Sequence, residues 1–304
     1  MQNKEKIIII AGPTAVGKTA TSIEIAKKFN GEIISADSIQ IYKGLDIGSA
    51  KVTTEEKEDI IHHMLDIVSP FDNFSTGEYV HKVKNLITEI ISKGKTPIIV
   101  GGTGLYISSL LFDIGVTCGK DQVYRDELEK IIEKDGLYSL YEKLEEIDPE
   151  SAKNIHPNQK DRIIRALEIY HITGKRKSET KNSQESNYNY LLIGLYDERE
   201  VLYNRINLRV DKMINEGLTN EVEGLINQGV NLENQCMQAI GYKETYEYIK
   251  GFVTKEEFIN KLKQNSRNYA KRQLTWFKKM PNIVWKKYSE KQEIFDLVGD
   301  FING

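Results

Sequence analysis

The chain has 304 residues, enough for one large domain or a core plus a smaller one, and its 39% hydrophobic content supplies a real core. A formal net charge of -3 excludes a wholly basic nucleic-acid coat but leaves room for a local basic surface. Cys118 and Cys236 are its two cysteines and have no CxxC spacing, which excludes a disulfide framework or structural zinc site and points to the cytoplasm; no apolar run approaches the roughly 18 residues of a membrane span.

In chain order, the opening MQNKEKIIIIAG carries a short apolar run, Ile7 to Ile10, which reads as a first buried strand rather than a signal peptide. It leads straight into Gly12, Pro13, Thr14, Ala15, Val16, Gly17, Lys18 and Thr19, which fit the G-x-x-x-x-G-K-[ST] phosphate loop. The two glycines let backbone N–H groups turn inward around phosphate oxygens. Lys18 adds a point charge, and Thr19 places a hydroxyl where Mg²⁺ sits at a helix start. TATSIEIAKKF then reads as the helix that the motif requires.

A second strand, Glu32 to Ser35, ends just before Asp37, at the strand end where doubly wound sheets collect their chemistry. Asp37 can hold metal, act as a base, or simply cap the following turn. A third strand, Pro97 to Val100, ends in Gly101, Gly102 and Thr103, with no carboxylate where a P-loop hydrolase holds Mg²⁺ and water. The loop therefore cradles a phosphate without the usual water-activating partner.

From about Val116 to Tyr188 the pattern becomes charged and helical, and YLLIGLY then returns as a buried strand. The expected fold class is α/β: a P-loop NTPase-like core with a parallel sheet, formed by residues 1–116 and 189–304, with an inserted helical domain at 117–188. Within the insertion, NQKDRIIRALEIYHITGK puts Arg162 and Arg165 three apart, opposite Ile163, Ile164 and Leu167, and Gly174 would end the helix. These arginines either grip a phosphodiester backbone or pair with neighbours such as Glu168. Beyond it come long helical stretches, Arg199 to Glu216 and Lys255 to Lys279, and a short strand at Ile283 to Trp285. Arg205 and Arg209, at i and i+4, either reach a diphosphate or decorate the first of these helices. Lys261 to Met280 holds seven Lys or Arg and no acid, which is a polyanion surface or a solvated face. Tyr269, Trp276 and Phe277 stand in it at helical spacing and read as core in preference to base-stacking platforms.

The segments GPTAVGKT, SADSIQIYKGLDIGSAK, HHMLDI, GGTGLYI, RALEIY, RVDKMINEGL, AIGYKE and AKRQLTWFKK occur in order. Together they resemble the tRNA dimethylallyltransferases from the strand before the phosphate loop almost to the C-terminus. The resemblance implies transfer of a dimethylallyl group from dimethylallyl diphosphate to the exocyclic N6 of the adenosine 3′ of the anticodon. The phosphate loop would then hold a leaving group. Carbon–oxygen cleavage needs no activated water, which accounts for the missing carboxylate.

On this resemblance Asp37 is the general base and Thr103 sits by the reacting centre, with Asp37, Ser38, Ile39, Gln40 and Thr103 holding the adenosine. Arg205 or Arg209 assists the diphosphate, and Mg²⁺ binds at Thr19. Contacts to the tRNA anticodon stem-loop fall to Arg125, Arg162, Arg165, Gln238, Gly241, Tyr242, Lys243, Lys271, Arg272, Gln273, Trp276 and Lys278. A monomer is expected. Two positions depart from the family pattern: Ser49 replaces the usual Thr and keeps its hydroxyl, and Asp161 stands where bacterial relatives have Gln or Asn and would repel phosphate. Two lone cysteines leave no ligands for the eukaryotic relatives' zinc finger.

Three alternatives remain. An adenylate isopentenyltransferase shares the chemistry but takes a free nucleotide; the helical insertion and the basic C-terminal helix favour tRNA. A small-molecule P-loop kinase would consume ATP and leave the basic helix unexplained. An RNA-binding protein with a degenerate nucleotide site conflicts with the intact Lys18, Thr19, Asp37 and Thr103.

Overall fold

The computed structural model describes residues 4–113, 119–179 and 185–304, so Cys118 lies outside the described residues. In chain order the elements are β1 (Lys6–Ala11), α1 (Lys18–Lys28), β2 (Gly31–Ser35), α2 (Thr54–Lys57), β3 (His62–His63), α3 (Thr76–Ser92), β4 (Thr96–Gly101) and α4 (Gly104–Phe112). Four helices follow, α5 (Gln122–Asp135), α6 (Leu137–Ile147), α7 (Pro149–Asn154) and α8 (Lys160–Thr173). The chain returns through β5 (Asn189–Tyr196), α9 (Arg199–Asn215), α10 (Leu218–Asn227), α11 (Tyr242–Ile249), α12 (Lys255–Phe277), β6 (Ile283–Lys287) and α13 (Lys291–Asn303).

The six strands form one parallel sheet in the order β3-β2-β4-β1-β5-β6. At its centre Ile9 of β1 is in register with Ile99 of β4 on one side and Leu192 of β5 on the other. Ile7 to Ile10 are all fully buried. A parallel sheet covered on both faces buries every residue of a central strand, so β1 reads as an unbroken isoleucine run rather than an alternation. The edge strand β3 has only two residues, too few to show a period in sequence. It is recruited by pairing of Ile33 with His62 and Ile34 with His63.

This topology puts three loops side by side. The phosphate loop leaves the C-terminal end of β1, Asp37 follows β2, and Gly102 and Thr103 follow β4, which lies between them. Strand order reverses direction here, since β2 and β4 are laid to one side of β1 and β5 to the other, and that is where open α/β sheets bind ligands.

The chain divides into two compact units, residues 1–110 with 187–304, and residues 111–186. The second is helical, with a core that includes Leu128, Leu140, Leu144, Ile163 and Leu167. In the first, α12 opens with a capping box in which Thr254 and Glu257 satisfy each other's backbone N–H. Phe258, Leu262, Ala270, Gln273 and Phe277 are its buried positions, a face spaced for packing with one polar residue in it. Among the described residues no helix is long and apolar enough to cross a membrane.

Candidate active site

The phosphate loop forms around backbone conformations that its sequence permits. Gly17 has φ +102°, and a Cβ there would stand 2.8 Å from the Tyr288 ring. Only glycine fits both demands. Lys18 begins α1 and folds its ammonium back onto the carbonyls of Gly12 (3.0 Å) and Pro13 (2.7 Å). Burial, followed by the positive charge of Arg209, pushes its pKa down to about 7, against a smaller upward pull from Asp37. Arg209 reaches across from α9 and donates to the Thr14 hydroxyl at 3.1 Å. Its own pKa is lowered, first by burial. Neither cation makes an ion pair among the described residues, and together they form a desolvated positive pocket above the helix N-terminus.

Arg205, one turn earlier on α9, does not join them. It pairs with Asp197 at 2.9 Å and is exposed. The i,i+4 spacing suits two residues on one face, but Asp197, just before α9, captures the first. Of the two, Arg209 lines the cavity beside the phosphate loop and Arg205 does not, so Arg209 is the better placed diphosphate candidate.

Asp37 sits half-buried after Ala36. Its Oδ1 accepts from the backbone N–H groups of Ile39 (2.9 Å) and Gln40 (3.3 Å), so it does cap the turn, and both contacts fall on one oxygen. Thr103 is stitched to the same turn: its N–H donates to the Ala36 carbonyl at 3.1 Å, and its hydroxyl accepts from the Ser38 N–H at 3.2 Å. Asp37, Ser38, Ile39 and Gln40 all line one cavity of about 690 Å³ with Thr14 to Thr19, Arg209, Gln238, Gly241, Arg272 and Gln273.

Several residues expected to touch RNA are otherwise engaged. The Gln40 side chain accepts from the Ser35 hydroxyl (3.1 Å) and donates to the carbonyls of Ser49 (3.3 Å) and Ala50 (3.2 Å), bracing the cavity wall. Tyr242 is fully buried and donates its hydroxyl to Glu221 at 2.8 Å, so it has no surface to offer. The same carboxylate accepts the backbone N–H groups of Asp46, Ile47 and Gly48 (2.7–3.1 Å). Gly241, with φ +100°, is likewise buried and donates its N–H to Glu244 at 2.8 Å. Gln273 is buried between two loops. Trp276 packs along α4, its indole N–H on the Ser108 hydroxyl at 3.1 Å, and remains 40% exposed. Gln238, Lys243, Lys271, Arg272 and Lys278 are exposed.

In the helical unit, Glu168 is fully buried and accepts from Arg125 Nε (2.6 Å), Arg125 Nη2 (2.8 Å), Arg165 and the Asp121 backbone N–H (2.9 Å). Burial alone would raise this carboxyl, but the hydrogen bonds from Arg125 and Arg165 outweigh it and hold the pKa at about 2. Arg125 and Arg165 thus neutralise a core carboxylate, the second of the two roles left open for Arg165. Arg162, on the outer face of α8, is exposed, as is Asp161.

Tyr269 of α12 was read as core, yet it lines the cavity. Its hydroxyl interacts with Thr103 and Gln273, and burial followed by the charge of Asp37 pushes its pKa up to about 12. Helical spacing marks a residue as inward-facing but cannot distinguish a core from a cavity wall. Cys236 is buried and reduced, with its thiol on the Pro70 carbonyl at 3.2 Å.

A parallel sheet with a phosphate loop at its switch point, and a carboxylate in the same cavity, defines a P-loop α/β protein. Residues 40–280 match the family model described as IPP transferase. A tRNA dimethylallyltransferase of Bacillus cereus (strain AH187) is 50% identical over 298 residues, covering 97% of this chain and 94% of that one. Among solved structures, a tRNA delta(2)-isopentenylpyrophosphate transferase from Staphylococcus epidermidis shares 49% identity over 99% of both chains, with a TM-score of 0.73. A eukaryotic dimethylallyltransferase acting on tRNA superposes with a TM-score of 0.85 at 33% identity, covering 98% of this chain and 80% of that one. The chain belongs to the IPP transferase family.

Proposed function

We propose that this enzyme transfers a dimethylallyl group from dimethylallyl diphosphate to N6 of the adenosine 3′ of the anticodon in tRNA. The observation that carries this reading is the single cavity shared by the phosphate loop, Arg209 and Asp37. Lys18 and Arg209 bind and orient the diphosphate; Asp37 and Glu56 act on them at a distance, but neither cation is held in an ion pair among the described residues. Charge grows on the bridging oxygen as the allylic carbon–oxygen bond breaks, and preorganised cations stabilise it. The N6 lone pair is delocalised into the purine, so attack on the allylic carbon needs the N6 proton drawn off as the new bond forms. Asp37, whose turn contacts occupy only Oδ1, takes that proton. Diphosphate leaves with the bonding electron pair.

No group of three His, Cys, Asp or Glu that could cage a metal occurs among the described residues. The exposed Thr19 hydroxyl at the start of α1 suits Mg²⁺, which prefers few protein ligands and completes its shell with substrate oxygens and water. When bound there, Mg²⁺ would offset negative charge on the diphosphate.

An adenosine in an anticodon loop is already nearly single-stranded, so turning it out costs little. The exposed cations Lys243, Lys271, Arg272 and Lys278 support a polyanionic acceptor. The test offers labelled dimethylallyl diphosphate in parallel to unmodified tRNA, to AMP and to no acceptor. Label in tRNA alone is expected. Label in AMP would select the free-nucleotide enzyme, and ATP consumption without transfer would select a kinase.

A further inference from the structure

Gln273 is a polar side chain 6% exposed near the C-terminal end of the basic helix α12. Its Oε1 accepts from the Thr14 backbone N–H at 2.9 Å, and its Nε2 donates to the Gly102 carbonyl at 3.0 Å. A backbone N–H on one side and a carbonyl on the other fix which way the amide points. The approach is close enough that a Cβ on Gly102 would stand 2.0 Å from Nε2 and would push the amide off its two partners. Thr14 belongs to the diphosphate cradle and also receives Arg209. Gly102 immediately precedes Thr103, which is bonded to the Asp37 turn through Ala36 and Ser38. One amide therefore joins the loop that holds the donor to the loop that holds the acceptor and its base. It also occupies a backbone N–H of the phosphate loop.

We propose that Gln273 is a positioning residue that sets the spacing of the donor and acceptor loops, and that it makes no contact with RNA. This rests on the transferase reading above. A misplacement of about 1 Å between reacting partners can cost about 10²-fold in rate, so a brace spanning both loops acts on turnover rather than on RNA affinity.

The test uses the full chain with Gln273→Met, which keeps the volume and loses both bonds, and Gln273→Glu, which keeps the acceptor for Thr14 but turns a lone pair toward the Gly102 carbonyl. In both, kcat is expected to fall at least about tenfold, while the tRNA dissociation constant stays within about twofold of wild type. Loss of tRNA affinity in step with activity, or unchanged kcat, would overturn the proposal. Gln273→Glu is the variant to measure if Gln273→Met does not fold.

A second measurement needs no transfer. Inorganic diphosphate should slow amide exchange in residues 12–19 and 101–106 of the wild type, but only in 12–19 of Gln273→Met. Protection of both segments in the variant, or of the first alone in the wild type, would refute the brace. Coupled exchange in a wild type that prenylates no tRNA would refute the transferase reading and leave the brace standing.

Discussion

The cations around Glu168 and those around the phosphate loop use the same chemistry in opposite ways. In the helical unit Arg125 and Arg165 converge on a buried carboxylate that they hold ionised, with its pKa at about 2. At the end of β1, Lys18 and Arg209 converge on hydroxyl and carbonyl oxygens, and Lys18 is driven down to about 7. A cluster built on an ion-paired carboxylate holds a fold together, whereas one without such a pair is kept in place by the surrounding structure and waits for an anion. Basic side chains thus divide between stability and function according to whether a carboxylate holds them in an ion pair.

Removing Arg209 should separate the two roles most sharply. Arg209→Ala is expected to lower kcat by about 10²–10³-fold, the cost of deleting one preorganised donor to a developing anion, and to leave the melting temperature unchanged or raised because it relieves repulsion with Lys18. Asp37→Ala should cost about 10²-fold or more in turnover with RNA affinity retained. A lowered melting temperature with normal transfer for Arg209→Ala would erase the distinction between the clusters.

Glu168→Ala should do the reverse, destabilising by about 3 kcal/mol because two arginines are left without their buried partner. The folded pKa of Glu168 is depressed, so its contribution is present above the unfolded carboxyl value and lost as pH falls through that value toward about 2. Unfolding midpoints measured against pH should show this acid-side loss in the wild type and not in the variant. A flat profile in both would assign the stabilisation elsewhere.

How far the site could be read from sequence follows from the same division. The phosphate loop, Asp37 and Thr103 were legible because strand ends and glycine-rich turns encode their positions locally. Arg205 and Arg209 were not separable, since nothing in a helical period says which of them meets Asp197. Nor could burial be assigned within α12 and α11: Gln273 and Tyr242 stand in segments read as RNA-facing, but their partners Thr14, Gly102 and Glu221 are tens to hundreds of residues away. The strand β3 was missed because it exists only through its pairing with β2.

On α12 the exposed Lys271 and Arg272 immediately precede the buried Gln273, so the comparison can be repeated within three residues. The double change Lys271→Ala with Arg272→Ala should weaken tRNA binding and reduce the slope of log K against log salt by about 1.4–1.8, from 0.7–0.9 per phosphate contact. Gln273→Met should leave that slope unaltered. An unchanged slope in the double variant would make this a solvated face.

The smallest effect is also the most direct reading of a cation site without an ion pair. With a pKa of about 7 when no anion is bound, Lys18 is mostly neutral at pH 8. A diphosphate placed against it favours the charged form and returns the pKa toward its ordinary value of 10.5. Binding of dimethylallyl diphosphate at pH 8 should therefore take up close to one proton, while at pH 6, where Lys18 is already charged, it should take up almost none through this group. Donor affinity should accordingly decline as pH rises above about 7. Calorimetric titrations in buffers of differing ionisation heat measure the uptake, and at pH 8 the donor's own diphosphate contributes little because its second ionisation lies near pH 6. Lys18→Met should abolish the uptake. The same uptake in that variant would mean that the cluster carries its charge before the donor arrives, and that the lysine is not the group left waiting.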